Sequence, residues 1–360
     1  MSEKLGLGIL LVVIGGVMEG TYAVSTRYTT RWKWEHIWGA GSLMAIIFIA
    51  WPVALLTVPE LGQVFQQAGT NSVMTTAALG AGWGLGSIFF GLGVNAVGIA
   101  VGVSLILGLI AVFGSVLPML MYKPEQLGTP GGHIVLAALA VMLVGIALCG
   151  YAGNLRERSL QQKALGASAG AGGSAGTVTQ VVEEKKPSYK VGLVFCFLSG
   201  LLSPMVNFAL IKGDTLRALA IKHGASPLWA TNAAWLLVFT VAYGVFVLYA
   251  LFLMARNKTF SGLTAPGTGS YWILAAIMGI LWAGGIVLYG TGAAFMGSLG
   301  AYAGWPLLLI AAIGASNLSG VIIGEWKGTG SKPGRVMALA MAVLFVAAVM
   351  LGFANRMLTA

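Results

Sequence analysis

The chain has 360 residues, of which 58% are hydrophobic and 8% are charged. This composition excludes an ordinary soluble domain, in which about 25% of residues are charged, and it predicts an all-α polytopic membrane protein. The net charge of +10 does not indicate a nucleic-acid partner, because the basic residues are scattered at the ends of apolar segments, where they report orientation in the membrane. We therefore expect membrane lipid, and no nucleic acid, around this chain.

Ten segments are long and apolar enough to be membrane spans, since a transmembrane helix needs about 20 predominantly apolar residues. They lie at 5–25, 37–58, 73–94, 98–121, 133–153, 190–211, 228–254, 270–292, 299–323 and 335–355. Between the fifth and the sixth, the small-residue run GASAGAGGSAG and the charged run EEKKPSYK are typical of a flexible linker. We therefore predict five spans in 1–153, a cytoplasmic linker at 154–189 and five more spans in 190–360.

Lys and Arg are divided unequally between the two sides of the membrane. We call the side reached after spans 1, 3, 5, 7 and 9 the basic face, and its loops hold fourteen of them: Arg27, Arg31, Lys33, Arg156, Arg158, Lys163, Lys185, Lys186, Lys190, Arg256, Lys258, Lys327, Lys332 and Arg335. The opposite face holds six: Lys4, Lys123, Lys212, Arg217, Lys222 and Arg356. Because cytoplasmic loops carry the excess of positive charge, we expect the basic face to be cytoplasmic and both termini to lie outside.

The two halves of the chain share a sequence pattern. WGLGSIFFGLG at 83–93 aligns without gaps on WAGGIVLYGTG at 282–292, and the same pairing of halves places Gly98 on Gly297, Gly8 on Gly192, Gly16 on Gly200 and Glu19 on Ser203. Because each half has an odd number of spans, the second half must enter the membrane with opposite polarity. The sequence thus predicts two inverted five-helix repeats, typical of secondary transporters with a midplane substrate site. The alternative is a chance likeness of glycine-rich helices.

Glu19 is the only ionisable side chain that falls well inside a predicted span. A charge at the bilayer centre costs about 2.5–3.5 kcal/mol on insertion scales, so such a residue is functional by default. A carboxyl in a low-dielectric site can carry a proton through a transport cycle, and we predict that role for Glu19. The alternative is a structural carboxyl, capped by hydroxyls or reaching the membrane interface. Its candidate partners are Thr21, Tyr22, Ser203, Asn207, Asn232 and Asn317.

Aromatic and amide side chains inside the spans are candidates for binding a sugar. Sugars present apolar C–H faces between polar rims, which suits a cavity lined by Trp and Tyr. The simpler alternative for each aromatic residue is packing, or an interfacial aromatic belt for those near span ends, such as Trp34 and Trp38. For Asn207 and Asn232 it is an interhelical hydrogen bond. The predicted substrate-binding set is Tyr22, Trp83, Ser87, Asn207, Asn232, Trp282, Tyr289, Tyr302 and Trp305.

Enzyme signatures are missing from the sequence. There is no nucleophile elbow, P-loop or HExxH pattern, and the histidines fall at span ends or in loops. A single intramembrane carboxylate without a histidine or a paired aspartate is a poor catalytic set. Cys149 and Cys196 lie in apolar segments and are expected to be free, buried thiols. We predict no enzyme activity, no cofactor and no metal site, and transport driven by a gradient.

Four motifs, in this order, resemble the L-rhamnose–proton symporter family. They are Trp32-Lys33-Trp34-Glu35-His36-Ile37-Trp38 after span 1; Gly82-Trp83-Gly84-Leu85-Gly86 in span 3, followed by Gly91, Gly98, Gly102, Gly108, Gly114 and Pro118; Gly224-Ala225-Ser226-Pro227-Leu228 before span 7; and Gly324-Glu325-Trp326-Lys327 with Gly330 and Pro333 before span 10. The resemblance covers essentially the whole chain.

The resemblance implies a ten-helix carrier of the drug/metabolite transporter superfamily. Such a carrier takes up L-rhamnose with a proton across the bacterial inner membrane, which would make both termini periplasmic. The chain departs from the family pattern at Ser87 and Gly285, so a related sugar is also implied. The alternative on the same scaffold is an exporter of a drug or metabolite. The expected partners are a sugar and a proton, with no obligate protein partner. A receptor would need a soluble ligand domain, and these 360 residues contain none.

Overall fold

The structure, a computed structural model, describes residues 2–170, 188–297 and 300–359. Its regular elements in these ranges are all helical. The α-helices are Ser2–Thr21, Trp34–Ala45, Trp51–Thr57, Leu61–Val97, Ile99–Tyr122, Pro124–Leu127, Pro130–Gly170, Tyr189–Leu202, Met205–Lys212, Asp214–Lys222, Asn232–Asn257, Gly269–Phe295, Gly300–Ile322 and Ser331–Thr359. Shorter 3₁₀ segments occupy Tyr22–Tyr28 and Phe260–Thr264, and a π-helical turn occupies Ile46–Ala50.

Within the described ranges, ten helical segments are long and apolar enough to cross a membrane. In chain order, spans 1 to 10 are Lys4–Tyr28, Trp34–Thr57, Leu61–Val97, Val101–Tyr122, Pro130–Lys163, Tyr189–Lys222, Asn232–Asn257, Gly269–Phe295, Tyr302–Ile322 and Ser331–Ala354. The prediction of an all-α membrane protein with ten spans is confirmed. Some boundaries differ by several residues from the predicted ones. For example, span 2 begins at Trp34 instead of residue 37, and span 7 begins at Asn232 instead of residue 228.

Spans 1 and 6 are both interrupted partway across. The α-helix of span 1 ends at Thr21 and continues as a 3₁₀ helix from Tyr22. Span 6 breaks at Ser203-Pro204, between Tyr189–Leu202 and Met205–Lys212. Proline interrupts the helix because it has no N–H to donate and its ring clashes with the preceding turn. The two breaks lie close to Glu19 and Ser203, the positions that the sequence alignment of the two halves equates.

Span 1 packs on span 8 with the two backbones in contact. A Cβ atom added at Gly8 would lie 2.8 Å from the carbonyl oxygen of Gly292, and one added at Gly285 would lie 2.8 Å from that of Gly15. No real Cβ approaches a backbone oxygen so closely, so these positions require glycine. Small residues drive helix association in lipid because they allow such close packing. The contact places Glu19, one turn after Gly15, directly beside span 8.

A helical cap covers the opposite face. Gly69 has a φ of +75°, which bends the long helix Leu61–Val97 away from its first two turns. Those turns pack on the helix Asp214–Lys222 through Val64 and Leu216, which are both fully buried. His223 and Glu60 join the same two elements at 2.6 Å. The cap therefore ties the start of span 3 to the end of span 6.

The helix of span 5 continues past the predicted end of that span, residue 153. It extends to Gly170, so the first part of the predicted linker, 154–170, is helical rather than irregular. Arg156 anchors it there, donating from Nε to the backbone oxygen of Glu325 at 2.9 Å. Residues 171–187 lie outside the described residues, and the division of the chain into two halves and a linker remains a prediction.

Candidate substrate and proton site

A central cavity of about 380 Å³ lies among spans 1, 2, 3, 4, 6, 7, 8 and 9, with Glu19 in its wall. A second space of about 470 Å³ adjoins it and shares Glu19, Tyr22 and Trp38. This second space extends to Gly153 in the second half of span 5 and to Asn317 near the end of span 9. Both spans end at the basic face, so the route from Glu19 extends toward that face.

Glu19 lies less than one turn before the break in span 1. Its Oε1 is buried and has no hydrogen-bond partner in the described part of the chain. No ion pair among those residues involves it, and the basic groups Arg27 and Arg156 pair with Glu325 instead. A buried charge without a partner is costly. The carboxyl is thus placed to interact with something that enters the cavity, such as a proton, water or a ligand hydroxyl.

Aromatic rings form much of the wall of the central cavity around Glu19. Tyr22 stacks on Trp282, with ring centroids 5.1 Å apart and planes within 5°. Trp282 also meets Trp38 edge-on at 5.7 Å and Phe246 at 5.2 Å. Trp83 approaches the same ring at 6.2 Å. Trp282 is therefore the centre of a rigid aromatic cluster that draws on spans 1, 2, 3, 7 and 8.

Two serines supply hydroxyl groups to the cavity. Ser87 lines it from span 3, and its Oγ donates to the backbone oxygen of Trp83 at 3.0 Å. Ser203 lines it from the break in span 6, with its Oγ 3.4 Å from that of Ser199. Each hydroxyl oxygen retains acceptor capacity. The cavity thus combines apolar ring faces with a carboxyl and a few hydroxyls.

Asn207, Tyr289 and Trp305 form a layer on the opposite-face side of the cavity, which we call the barrier. The Tyr289 hydroxyl donates to Oδ1 of Asn207, and Asn207 Nδ2 donates to the backbone oxygen of Gly114 at 2.7 Å. Trp305 Nε1 donates to the backbone oxygen of Ile110 at 3.3 Å, and its ring meets Tyr289 at 5.6 Å. The barrier joins spans 4, 6, 8 and 9, and Asn207 is 0% exposed.

The structure brings together part of the predicted substrate-binding set. Those that line the cavity with Glu19 are Tyr22, Trp83, Ser87, Trp282 and Trp305. Asn207 and Tyr289 lie in the barrier instead. Asn232 donates to the Thr57 hydroxyl at 3.0 Å, joining span 7 to the end of span 2. Tyr302 packs on Met119 and lines a separate cavity at the opposite face.

Sequence reasoning missed Trp34 and Trp38, which it assigned to an interfacial aromatic belt. Both line the central cavity. Their spacing of four residues places them on one face of span 2, where their rings stack at 5.7 Å. Phe246, another lining residue, carried no such signal because span 7 is apolar on all sides. The free thiol of Cys149 was also predicted to be buried, but it is part-buried and lines the second space.

In the part of the chain that the structure describes, ten spans are present and eight of them line a central cavity that holds the Glu19 carboxyl. This arrangement defines a multi-pass membrane carrier. The profile of the L-rhamnose-proton symport protein family matches residues 1–356. The chain belongs to that family. It is 25% identical to an L-rhamnose-proton symporter of Cronobacter sakazakii and 23% identical to one of Yersinia pestis, in each case over 98% of both chains.

Proposed function

We propose that this protein takes up a monosaccharide, L-rhamnose or a related sugar, together with a proton. Uptake proceeds across the bacterial inner membrane by alternating access. The observation that carries the proposal is the unpartnered Glu19 carboxyl in an aromatic cavity that has a barrier on one side. Family membership supports sugar–proton symport and gives no support to the alternative of drug or metabolite export.

Glu19 is the proposed proton carrier. In the conformation described here its carboxyl lacks a hydrogen-bonding or ionic partner, so a proton stabilises it by removing the charge. Release of the proton then requires water or substrate hydroxyls to solvate the carboxylate. Proton binding and cavity opening are coupled in this way, because the half-buried carboxyl borders a space that reaches toward the basic face here and would be closed off from that face in the opposite conformation.

The proposed sugar site is the wall opposite and beside Glu19. Trp282 and Trp83 line this wall and offer the apolar parts of their rings that border the cavity to the apolar side of the sugar. Tyr22 and Ser87 offer hydroxyls for its polar rim. The cavity of about 380 Å³ is within the range for small-molecule sites.

The orientation of the protein in the membrane is also part of the proposal. Fourteen of the twenty Lys and Arg residues belong to the basic face, which we assign to the cytoplasm. Both termini are then periplasmic. The conformation described here faces inward, since the cavity extends toward the basic face and the barrier lies on the periplasmic side.

We further infer that the two five-helix halves are an inverted repeat. Equivalent glycines meet equivalent residues in the two halves. A Cβ at Gly285 would lie 3.2 Å from Glu19 Cγ, and one at Gly86 would lie 2.9 Å from Ser203 Oγ, where Ser203 is the aligned partner of Glu19. The pairing of span 1 with span 8 is repeated by span 6 with span 3. Rocking of one half against the other would alternate the access.

Substitution of Glu19 by Gln tests the proposal in proteoliposomes. Gln cannot release a proton, so Glu19→Gln is expected to retain counterflow of radiolabelled L-rhamnose but to lose accumulation driven by a pH gradient. Glu125→Gln, at an exposed carboxyl, is the matched control and should accumulate the sugar as the wild type does. Full proton-driven accumulation by Glu19→Gln would contradict the coupling role, and failure of the wild type to exchange any monosaccharide would contradict sugar transport.

A further inference from the structure

A separate cavity of about 380 Å³ opens at the opposite face, and we call it the vestibule. Its polar lining residues are Asp214, Arg217, Thr231 and Tyr302. The vestibule and the central cavity have no lining residue in common, and the barrier lies between them. The central site does not account for these polar groups.

Two polar atoms of the vestibule are buried without a partner in the described ranges of the chain. Thr231 is 3% exposed, and its Oγ1 has no hydrogen bond. It precedes the first helical residue of span 7 but does not cap that helix. Arg217 Nε is likewise buried and unpaired. Most buried polar atoms of proteins are paired. Because these two residues also line an open cavity, a ligand in that cavity would supply the missing partners.

The charges of the vestibule identify the kind of ligand. Arg217 Nη1 lies 3.5 Å from Asp214 Oδ1, and Asp214 is 76% exposed at the rim. The carboxylate offsets the positive charge of the guanidinium, which makes the site a poor one for an anion. Together they offer donors, from Arg217, Thr231 and Tyr302, and an acceptor, from Asp214. This combination fits the hydroxyls of a neutral polyol.

The vestibule and the barrier are built on the same helices. Asn207 is one helical turn from Ile211, which lines the vestibule on the same helix of span 6. Tyr289 directly precedes Gly290, which lines the vestibule in span 8. A ligand held between spans 6 and 8 therefore contacts the two helices whose side chains, Asn207 and Tyr289, hydrogen-bond to close the barrier.

We propose that the vestibule is a loading subsite that binds the sugar from the opposite face before the barrier opens. The proposal rests on the proposed function, since the ligand is the transported sugar. It assigns to Thr231 and Arg217 a specificity role that the central cavity does not need. Sugar that enters from the opposite face meets the vestibule first, whereas sugar that leaves through the basic face does not depend on it.

The test compares the two directions of transport in right-side-out and inside-out membrane vesicles. Thr231→Val keeps the shape of the side chain and removes its hydroxyl. It is expected to raise the KM for L-rhamnose entering from the opposite face about 3- to 10-fold, because that is the change in affinity that the loss of one hydrogen bond causes. The KM measured from the basic face should not change. Arg217→Gln, the second variant, should act in the same direction.

Thr240→Val is the matched control. Thr240 lies in the same helix, and its Oγ1 is also buried without a partner, but it lines none of the cavities described above. Its KM should match the wild type in both directions. An unchanged KM for Thr231→Val and Arg217→Gln, or an equal change in both directions, would overturn the subsite and leave sugar transport intact. Absence of transport by the wild type would overturn both.

Discussion

Gly285 shows at the scale of one residue how the site depends on close packing. A Cβ there would meet the carbonyl oxygen of Gly15 at 2.8 Å and the Cγ of Glu19 at 3.2 Å. The first neighbour is backbone and cannot move without shifting span 1. The absence of a side chain at this position therefore sets where the Glu19 carboxyl lies in the cavity.

Gly285→Ala is expected to displace span 1 and to impair proton-driven uptake. Overpacking of a tight contact costs about 1–3 kcal/mol, so a lower melting temperature should accompany the loss of uptake. Gly284→Ala is the control, because its Cβ would meet only the flexible end of Met18, at 2.9 Å. Thermal unfolding in detergent and uptake by proteoliposomes measure both effects, and equal behaviour of the two variants would refute the explanation.

At the scale of the element, the Trp32–Trp38 motif connects the start of span 2 to the loop between spans 7 and 8 through hydrogen bonds. His36 Nε2 lies 2.7 Å from the backbone oxygen of Thr259, and Glu35 Oε1 accepts from the Thr259 hydroxyl at 2.9 Å. Trp32 Nε1 donates to the backbone oxygen of Gly262 at 2.9 Å. These contacts fasten the start of span 2 to the connection between spans 7 and 8. These hydrogen bonds hold the first turn of span 2 and so orient Trp38, which lines the central cavity.

Span 5 lines the second space, and its thiol offers a chemical test of the inward-facing conformation. Cys149 lines the second space, whereas Cys196 in span 6 is 0% exposed and packs on Gly93. A small maleimide should therefore label one thiol per folded chain and two after unfolding. Mass spectrometry of the labelled peptides identifies the site, and Cys196→Ser leaves the single reactive thiol in place. Equal labelling rates for both cysteines in the folded protein would contradict the placement.

At the scale of the whole molecule, the asymmetry of charge predicts how the protein is inserted. With fourteen basic residues on one face and six on the other, the positive-inside rule places the basic face in the cytoplasm. Alkaline phosphatase fused after the C-terminal residue should be active, because that enzyme works only in the periplasm. A fluorescent protein inserted near residue 175 should fluoresce in the cytoplasm. The reverse pattern in the two fusions would invert the proposed orientation.

The sequence by itself determined the class of protein and its most unusual residue. Ten spans could be predicted because the need for about 20 apolar residues is a local property of each segment. Glu19 was recognisable for the same reason, since its cost in lipid does not depend on the neighbouring helices. The interruption at Pro204 also follows from the chemistry of one residue, whereas nothing local indicated the change to a 3₁₀ helix at Tyr22.

Only the tertiary structure decided which side chains share the cavity. The depth and rotation of each helix depend on its neighbours. Asn207 and Asn232 therefore looked alike in the sequence, but Asn207 lies in the barrier and Asn232 donates a hydrogen bond to Thr57. Trp38 looked interfacial and lines the cavity. The physical reason is that a backbone contact such as that of Gly285 with Gly15 joins residues far apart in the chain. Such contacts set the rotation of the two helices, and the rotation decides which of their side chains face the cavity.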